Sequence, residues 1–440
     1  MSNPRIHIVT LGCAKNLVDS EYLSRQLSLN GYQVAFETAD ESDIVIVNTC
    51  GFINDAKEES IETILEFADK KTGDKLKNLY VIGCLSQRYK TELEQEIPEV
   101  DGFYGVYEQE KILSDLNARY FEDYKYQRTL ITPKHYAYLK IAEGCDRKCS
   151  FCSIPYIKGS YKSKPIKEVE KEAQYLIEQN VQEVNLIAQD LTHYGYDLYG
   201  KPTLPKLLDQ LSDLEGFSWI RLLYTYPAGF PKKILHTMAT HSNVCNYLDI
   251  PFQHISDEIL KKMRRGINSK QSYKLIELIK KHIPDITLRT TLMVGHPGET
   301  EEDFLELMEF VREVQFDRLG VFMYSEEEGT YSALQYEDNI PQYIKQQRSD
   351  EIMQLQQEIT YRKNLEKVGK TLSVLIDRED EQYYYGRTEA DAPEVDNEVV
   401  IEKNPENSFD VGNFYKTKIH SAAAYDLFGE IEGHSLSRKR

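Results

Sequence analysis

The sequence predicts an α/β protein built from three parts, and three observations carry that prediction. Residues 5 to about 118 alternate strand-like and helix-like stretches, the rhythm of a parallel sheet covered on both faces. Between about 135 and 335, six further strand candidates are spaced by helical patterns, which suggests an open or partial (β/α)6 barrel. After residue 370, short β-prone runs separated by turn residues suggest a small antiparallel β-barrel.

The first part spans residues 1–118. Arg5–Leu11 reads as a buried strand, Val18–Leu29 as a helix, Asp43–Val47 as a second strand and Ala56–Lys70 as a helix. Leu79–Ile82 is a third strand, with a helix from about Tyr89. A cysteine follows each strand: Cys13 in Leu11-Gly12-Cys13, Cys50 in Asn48-Thr49-Cys50-Gly51, and Cys84 in Ile82-Gly83-Cys84. Parallel strands present their carboxyl ends on one edge, where open α/β sheets bind ligands. Three thiols at matched strand ends, beside glycines that let backbone approach a bulky group, point to a three-cysteine cluster site. Any one of them alone could be a small buried hydrophobe.

Residues 119–134 have no clear period and read as a linker. The second part spans residues 135–340, with strand candidates Tyr136–Ala142, Glu183–Ala188, Trp219–Tyr224, Tyr247–Pro251, Thr287–Val294 and Arg318–Phe322. Ile166–Gln179 and Ser269–His282 are two of the intervening helices. After the first strand comes Glu143-Gly144-Cys145-Asp146-Arg147-Lys148-Cys149-Ser150-Phe151-Cys152, a C-x3-C-x2-C loop. A cubane iron–sulfur cluster takes one thiolate per iron, so three cysteines leave one iron open. An open position distinguishes a reactive metal site from a closed structural one. The competing readings are a zinc site short of a ligand, or three buried thiols. The next candidate ligand, His193, is far along the chain.

Two other strand ends carry polar or glycine-rich segments. Met293-Val294-Gly295-His296-Pro297-Gly298-Glu299-Thr300 fits either a backbone held against a ligand or a plain turn with acids at a helix start. Leu186-Ile187-Ala188-Gln189-Asp190 offers amide and carboxylate groups. Cys245 has no partner at useful spacing and reads as structural. Residues 341–369 form one long polar helix, a connector. The small barrel spans 370–433, followed by a basic tail, 434–440. From Lys370 to the end, 15 acidic residues stand against 9 basic ones, a net −6.

The whole chain of 440 residues carries a formal net charge of −19 and is 41% hydrophobic. That is enough for a sizeable core and speaks against a broad basic nucleic-acid footprint. Such a surface suits a basic protein partner or simply keeps the chain soluble. No stretch is apolar enough for a membrane span, and the N-terminus reads as a strand and not as a signal peptide, so cytoplasmic residence is expected. Seven cysteines, an odd number so placed, do not suggest a disulfide framework.

The C-x3-C-x2-C loop, with Phe151 before its last cysteine, resembles the signature of radical S-adenosylmethionine (SAM) enzymes. All three parts together resemble the methylthiotransferase branch, which joins a three-cysteine domain, a radical SAM barrel and a TRAM barrel. Leu11–Glu21, Asn48–Ile53, Gly83–Tyr89, Asp249–His254 and Asp391–Asp396 are similar to the RimO type, which modifies a ribosomal protein. The tRNA-modifying relatives usually carry Gln-Met-Asn where this chain has Ala14-Lys15-Asn16. It departs from the family at Lys158-Gly159 and Ser163-Lys164, where arginines are usual; lysine keeps the charge but loses the guanidinium fork.

The resemblance implies a methylthio group placed on the β-carbon of an aspartate in small-subunit ribosomal protein twelve, free or within the ribosome. It implies two 4Fe-4S clusters, a SAM-cleaving one on Cys145, Cys149 and Cys152 and an auxiliary one on Cys13, Cys50 and Cys84. SAM would serve as methyl donor and radical source, with Phe151, Gln189, Gly295, Pro297 and Glu299 as its candidate contacts. An electron donor such as flavodoxin or ferredoxin is implied, and neither tRNA nor a membrane is expected as partner. The alternatives are a tRNA adenosine methylthiotransferase and a non-catalytic iron–sulfur carrier. An unactivated C–H bond calls for a radical and not a side-chain base, so no acid–base pair is assigned.

Overall fold

A computed structural model describes residues 4–36, 42–73, 75–404 and 408–433. The basic tail and the first three residues lie outside them. The chain divides into two units. The first comprises Met1–Thr132, Tyr138–Arg147 and Cys152–Tyr175; the second comprises Pro133–Ala137, Lys148–Phe151 and Leu176–Arg440.

In the first unit, β1 (Arg5–Thr10), β2 (Gln33–Ala35), β3 (Ile44–Thr49), β4 (Asn78–Gly83) and β5 (Gly102–Tyr104) form a parallel sheet ordered β2-β1-β3-β4-β5. β3 is buried along its whole length, which is why it reads as an unbroken apolar run. Ile6, Ile8 and Ile46 pack on one face of the sheet, and Val45, Val47 and Val81 on the other. Beyond the start of β6 (Tyr136–Lys140), β7 (Ala142–Glu143) and β8 (Lys162–Ser163) make a short antiparallel ladder. Arg128, in the segment expected to be only a linker, is fully buried between Glu21 and Glu172 and donates to the Tyr138 carbonyl.

The second unit continues with β9 (Glu183–Ile187), β10 (Trp219–Leu222), β11 (Val244–Asp249), β12 (Thr287–Val294) and β13 (Arg318–Met323), in an open sheet ordered β13-β12-β11-β10-β9-β6. The expected strands all form. Cys245 lies inside β11, fully buried, where burial pushes its thiol up. The long helix runs Gln342–Leu365. The five strands β14 (Thr371–Glu379), β15 (Tyr383–Arg387), β16 (Val399–Glu402), β17 (Phe414–Ala422) and β18 (Leu427–Ile431) close into a barrel. Four of its five seams are antiparallel, and β16–β18 is parallel.

Much of the small barrel's acidity is used internally. Asp391 pairs with Arg318 at the start of β13, and Asp396 with Arg289 of β12 and the Tyr247 hydroxyl of β11. Asp377 pairs with Arg387 and His135, while Arg387 also reaches Glu183 of β9 at 2.7 Å. A net count of −6 therefore overstates the charge offered to a partner. Among the described residues, Glu379, Asp380, Glu381, Glu394, Glu402, Asp410, Glu430 and Glu432 are the barrel acids left exposed.

Candidate functional site

In the first unit, each of the three early cysteines leaves a strand of the parallel sheet. Cys13 caps the helix Ala14–Leu29 from extended backbone and is exposed. Cys50 follows β3, and Cys84 opens the helix Cys84–Glu96 after β4; both are buried. The glycines beside them are there for close approach. A Cβ on Gly12, whose φ is +87°, would stand 2.6 Å from Cys50 Cβ, and one on Gly51 would meet the Leu85 backbone at 2.8 Å. Asn16 ties the edge together, donating to the carbonyls of Leu11 and Thr49 at 3.0 Å, with the Cys84 thiol 3.8 Å from its Oδ1. Burial pushes the Cys84 thiol up to about 12; the Lys158 ammonium opposes this, and the Cys13 and Cys50 thiols add to it. Burial also raises Cys50, and Cys13 adds to that rise. The three thiols thus lie within each other's fields.

Among the described residues, no three His, Cys, Asp or Glu side chains converge on a single metal-ion position. A cubane makes a different demand, because it spreads its thiolates over separate irons. Three thiols on separate strand ends, with glycines leaving room between them, fit that demand.

The second cysteine loop is held at its stem by β7 and β8. Cys145 N–H donates to the Gly159 carbonyl at 3.1 Å, and Gly144 (φ +78°) leaves no room for a Cβ, which would stand 2.2 Å from the Ser160 oxygen. Lys158, only 3% exposed, lies 3.4 Å from Glu143 and 3.7 Å from Asp19; Lys140 pairs with both acids. Lys164 reaches Glu172 at 2.7 Å and the Tyr22 hydroxyl at 3.1 Å. Both lysines that replace the family's usual arginines therefore meet carboxylates, as point charges and not as forks.

In the second unit, Ser150 N–H donates to the Met263 carbonyl, and Ser332 bonds Ser150 through both backbone and hydroxyl. His296 Nε2 lies 3.1 Å from the Ser332 hydroxyl, so the Gly295–Glu299 segment is linked to the cysteine loop. Glu299 turns inward. Its carboxylate accepts from the backbone of Gly295 (2.7 Å) and His296 (3.3 Å) and pairs with Arg348 at 2.8 Å; burial pushes it up to about 7. The space beside Gly295 is filled by Lys345, and that beside Gly298 by the Lys262 ammonium. Those contacts favour the turn reading of this segment. Pro297 is buried, whereas Phe151 and Gln189 are half-buried.

Sequence reasoning missed Arg265, which donates to Cys149 Sγ at 3.1 Å, and the backbone of Gln253 within the Asp249–His254 segment, a non-glycine held at φ +72° after β11. A left-handed residue at the carboxyl end of a barrel strand marks strain where sites are built. Neither its backbone angle nor the buried position of Arg265 leaves a local trace in sequence.

Comparison with known proteins agrees with this architecture. Residues 5–105 match the family described as Uncharacterized protein family UPF0004, 139–311 the Radical SAM superfamily, and 368–431 the TRAM domain. The ribosomal protein uS12 methylthiotransferase RimO of Bacteroides thetaiotaomicron is 55% identical over 98% of this chain and 99% of its own. The RimO of Phocaeicola vulgatus is 54% identical over 98% of this chain and 100% of its own, and that of Christiangramia forsetii 50% over 97% and 94%. Among solved structures, the radical S-adenosylmethionine methyltransferase TsrM from Kitasatospora setae shares the fold, with TM-score 0.55 at 15% identity, covering 75% of this chain and 77% of that one. With near-complete alignment at such identity, the chain belongs to the RimO family of radical SAM methylthiotransferases.

Proposed function

We propose that this protein attaches a methylthio group to the β-carbon of an aspartate in ribosomal protein uS12. The observation that carries the reading is the end-to-end match to RimO proteins at 50–55% identity, with all three parts present in order. Two cysteine sets on strand ends of the α/β parts support two 4Fe-4S clusters. Cys145, Cys149 and Cys152 would hold the one that binds SAM through its open iron, and Cys13, Cys50 and Cys84 the auxiliary one. The clusters and SAM supply, when bound, one-electron chemistry able to take hydrogen from an unactivated C–H bond.

The chain's own residues position that chemistry. Gly12 leaves room for Cys50, Gly51 for the Cys84–Leu85 backbone and Gly83 for Asn48 and Thr49, and Asn16 fixes the strand ends. Phe151 and Gln189, half-buried, are the side chains offered to SAM. Gly295 and Pro297 shape the neighbouring turn, and Glu299 closes it from inside. The protein acts in the cytoplasm, taking electrons from a flavodoxin- or ferredoxin-type donor; no helix among the described residues is long and apolar enough to cross a membrane. Mass spectrometry of uS12 from cells with and without this gene tests the reading: the methylthio mark should be present only with the gene.

A further inference from the structure

The helix Asp257–Lys262 ends in an unusual way. Arg265 N–H bonds the Leu260 carbonyl, and Arg264 N–H the Lys261 carbonyl, both at 3.0 Å. This is a Schellman stop, whose left-handed position normally holds glycine. Here that position is Arg264, at φ +57°, and glycine follows only at Gly266. A strained stop of this kind persists where surrounding contacts fix it, and such strain concentrates at functional sites.

What the stop delivers is the Arg265 side chain. It is 4% exposed. One guanidinium nitrogen, Nη1, lies 3.1 Å from Cys149 Sγ, and Nη2 donates to the Pro251 carbonyl at 2.5 Å. The guanidinium lies 4.3 Å from the centre of the Tyr226 ring. The Tyr226 hydroxyl is 3.5 Å from the same sulfur but donates to the Arg265 carbonyl at 2.9 Å. A phenol has one proton to give. The guanidinium is therefore the donor to the sulfur. The backbone bond from Ser150 to Met263 at 3.0 Å ties the cysteine loop to this same turn, so the contact is built from two directions.

We propose that Arg265 is a positioning residue that hydrogen-bonds the Cys149 thiolate and raises the reduction potential of the cluster held by the C-x3-C-x2-C loop. The inference rests on the cluster reading given under Proposed function. Hydrogen bonds to cluster sulfurs and nearby charge are among the levers that set such potentials. Reduction adds negative charge to the cluster, and a buried cation at one of its sulfurs favours the reduced form. A guanidinium is permanently charged and can bond the sulfur and a carbonyl at once, so it holds the sulfur in a fixed orientation.

The test uses the full-length chain carrying Cys13→Ala, Cys50→Ala and Cys84→Ala, so that one cluster is observed. Iron content and midpoint potential are measured, the latter by dithionite titration followed by electron paramagnetic resonance, with and without Arg265→Gln and Arg265→Lys. Arg265→Gln is expected to keep its iron and shift the reduced-to-oxidised ratio at fixed potential about tenfold toward oxidised, or about 59 mV downward for one electron. Arg265→Lys, which keeps charge but not the fork, should fall between. If Arg265→Gln loses its iron, Arg265→Lys is read alone, and a downward shift supports the assignment. An unchanged or raised midpoint in an iron-replete variant overturns it. Loss of iron from both variants also overturns it, by making Arg265 a structural prop. Absence of a cluster signal before any change at Arg265 refutes the cluster reading itself.

Discussion

Gly12 and Cys50 approach so closely that a Cβ on Gly12 would stand 2.6 Å from Cys50 Cβ and 2.9 Å from its sulfur. Gly12 also sits at φ +87°, where a side chain is strained. Gly12→Ala is therefore expected to displace Cys50 and disable the auxiliary site without touching a cysteine. Iron should fall by about half, from two cubanes to one. Methylthio transfer should stop while 5′-deoxyadenosine formation persists. Full iron content with normal transfer would show that this approach does not matter to the site.

Cys145→Ala removes one of three thiolates from the second loop and should abolish SAM cleavage. 5′-Deoxyadenosine formation at near wild-type rate would sink the ligand assignment.

Asp391 and Arg318 are both buried and paired. Removing one partner of a buried ion pair costs about 3–5 kcal/mol, because the other charge is stranded. Asp391→Ala should lower the urea midpoint accordingly. Deleting residues after Lys370 removes one ion-pair partner from each of Arg318, Arg289 and Glu183 at once, so the truncated chain should lose stability. A truncated chain with an unchanged urea midpoint would refute that packing role.

These pairs mark what sequence could and could not carry. The six barrel strands and the helix Ser269–His282 were legible because periodicity is local. So was the placement of Cys13, Cys50 and Cys84 after successive strands, because each follows a strand with a local pattern. The edge strands β2 and β5, three residues each, were too short to show a period. Burial of Arg128, Arg265 or Asp391 was not legible, because a charged residue is buried by partners far along the chain. For the same reason, a net charge count misjudged how much acidity the small barrel offers.

His254 is fully buried; burial holds it down at about 3, against an ordinary 6.5. Glu299 faces it at 3.7 Å, with Asp303, His296 and Arg348 also acting on it. Below pH 6.5 the unfolded chain takes up a proton that the native histidine refuses. His254 therefore contributes stability at neutral pH that is lost as pH falls from 6.5 toward 3, by at most about 1.4 kcal/mol per pH unit. The stability of His254→Gln should fall less steeply, so its gap from wild type should narrow between pH 7 and pH 5. Parallel urea midpoints across that range would contradict this.

The most direct measurement incubates the reduced, iron-reconstituted protein with SAM, a sulfide source and either purified ribosomal protein uS12, intact small subunits or bulk tRNA. Each product is then analysed by mass spectrometry. The account predicts one methylthio group gained on an aspartate of uS12, lost on Cys50→Ala and on Cys145→Ala, with tRNA unchanged. Methylthiolated tRNA with unmodified uS12 would contradict it, as would methylthio transfer to uS12 that survives both cysteine substitutions.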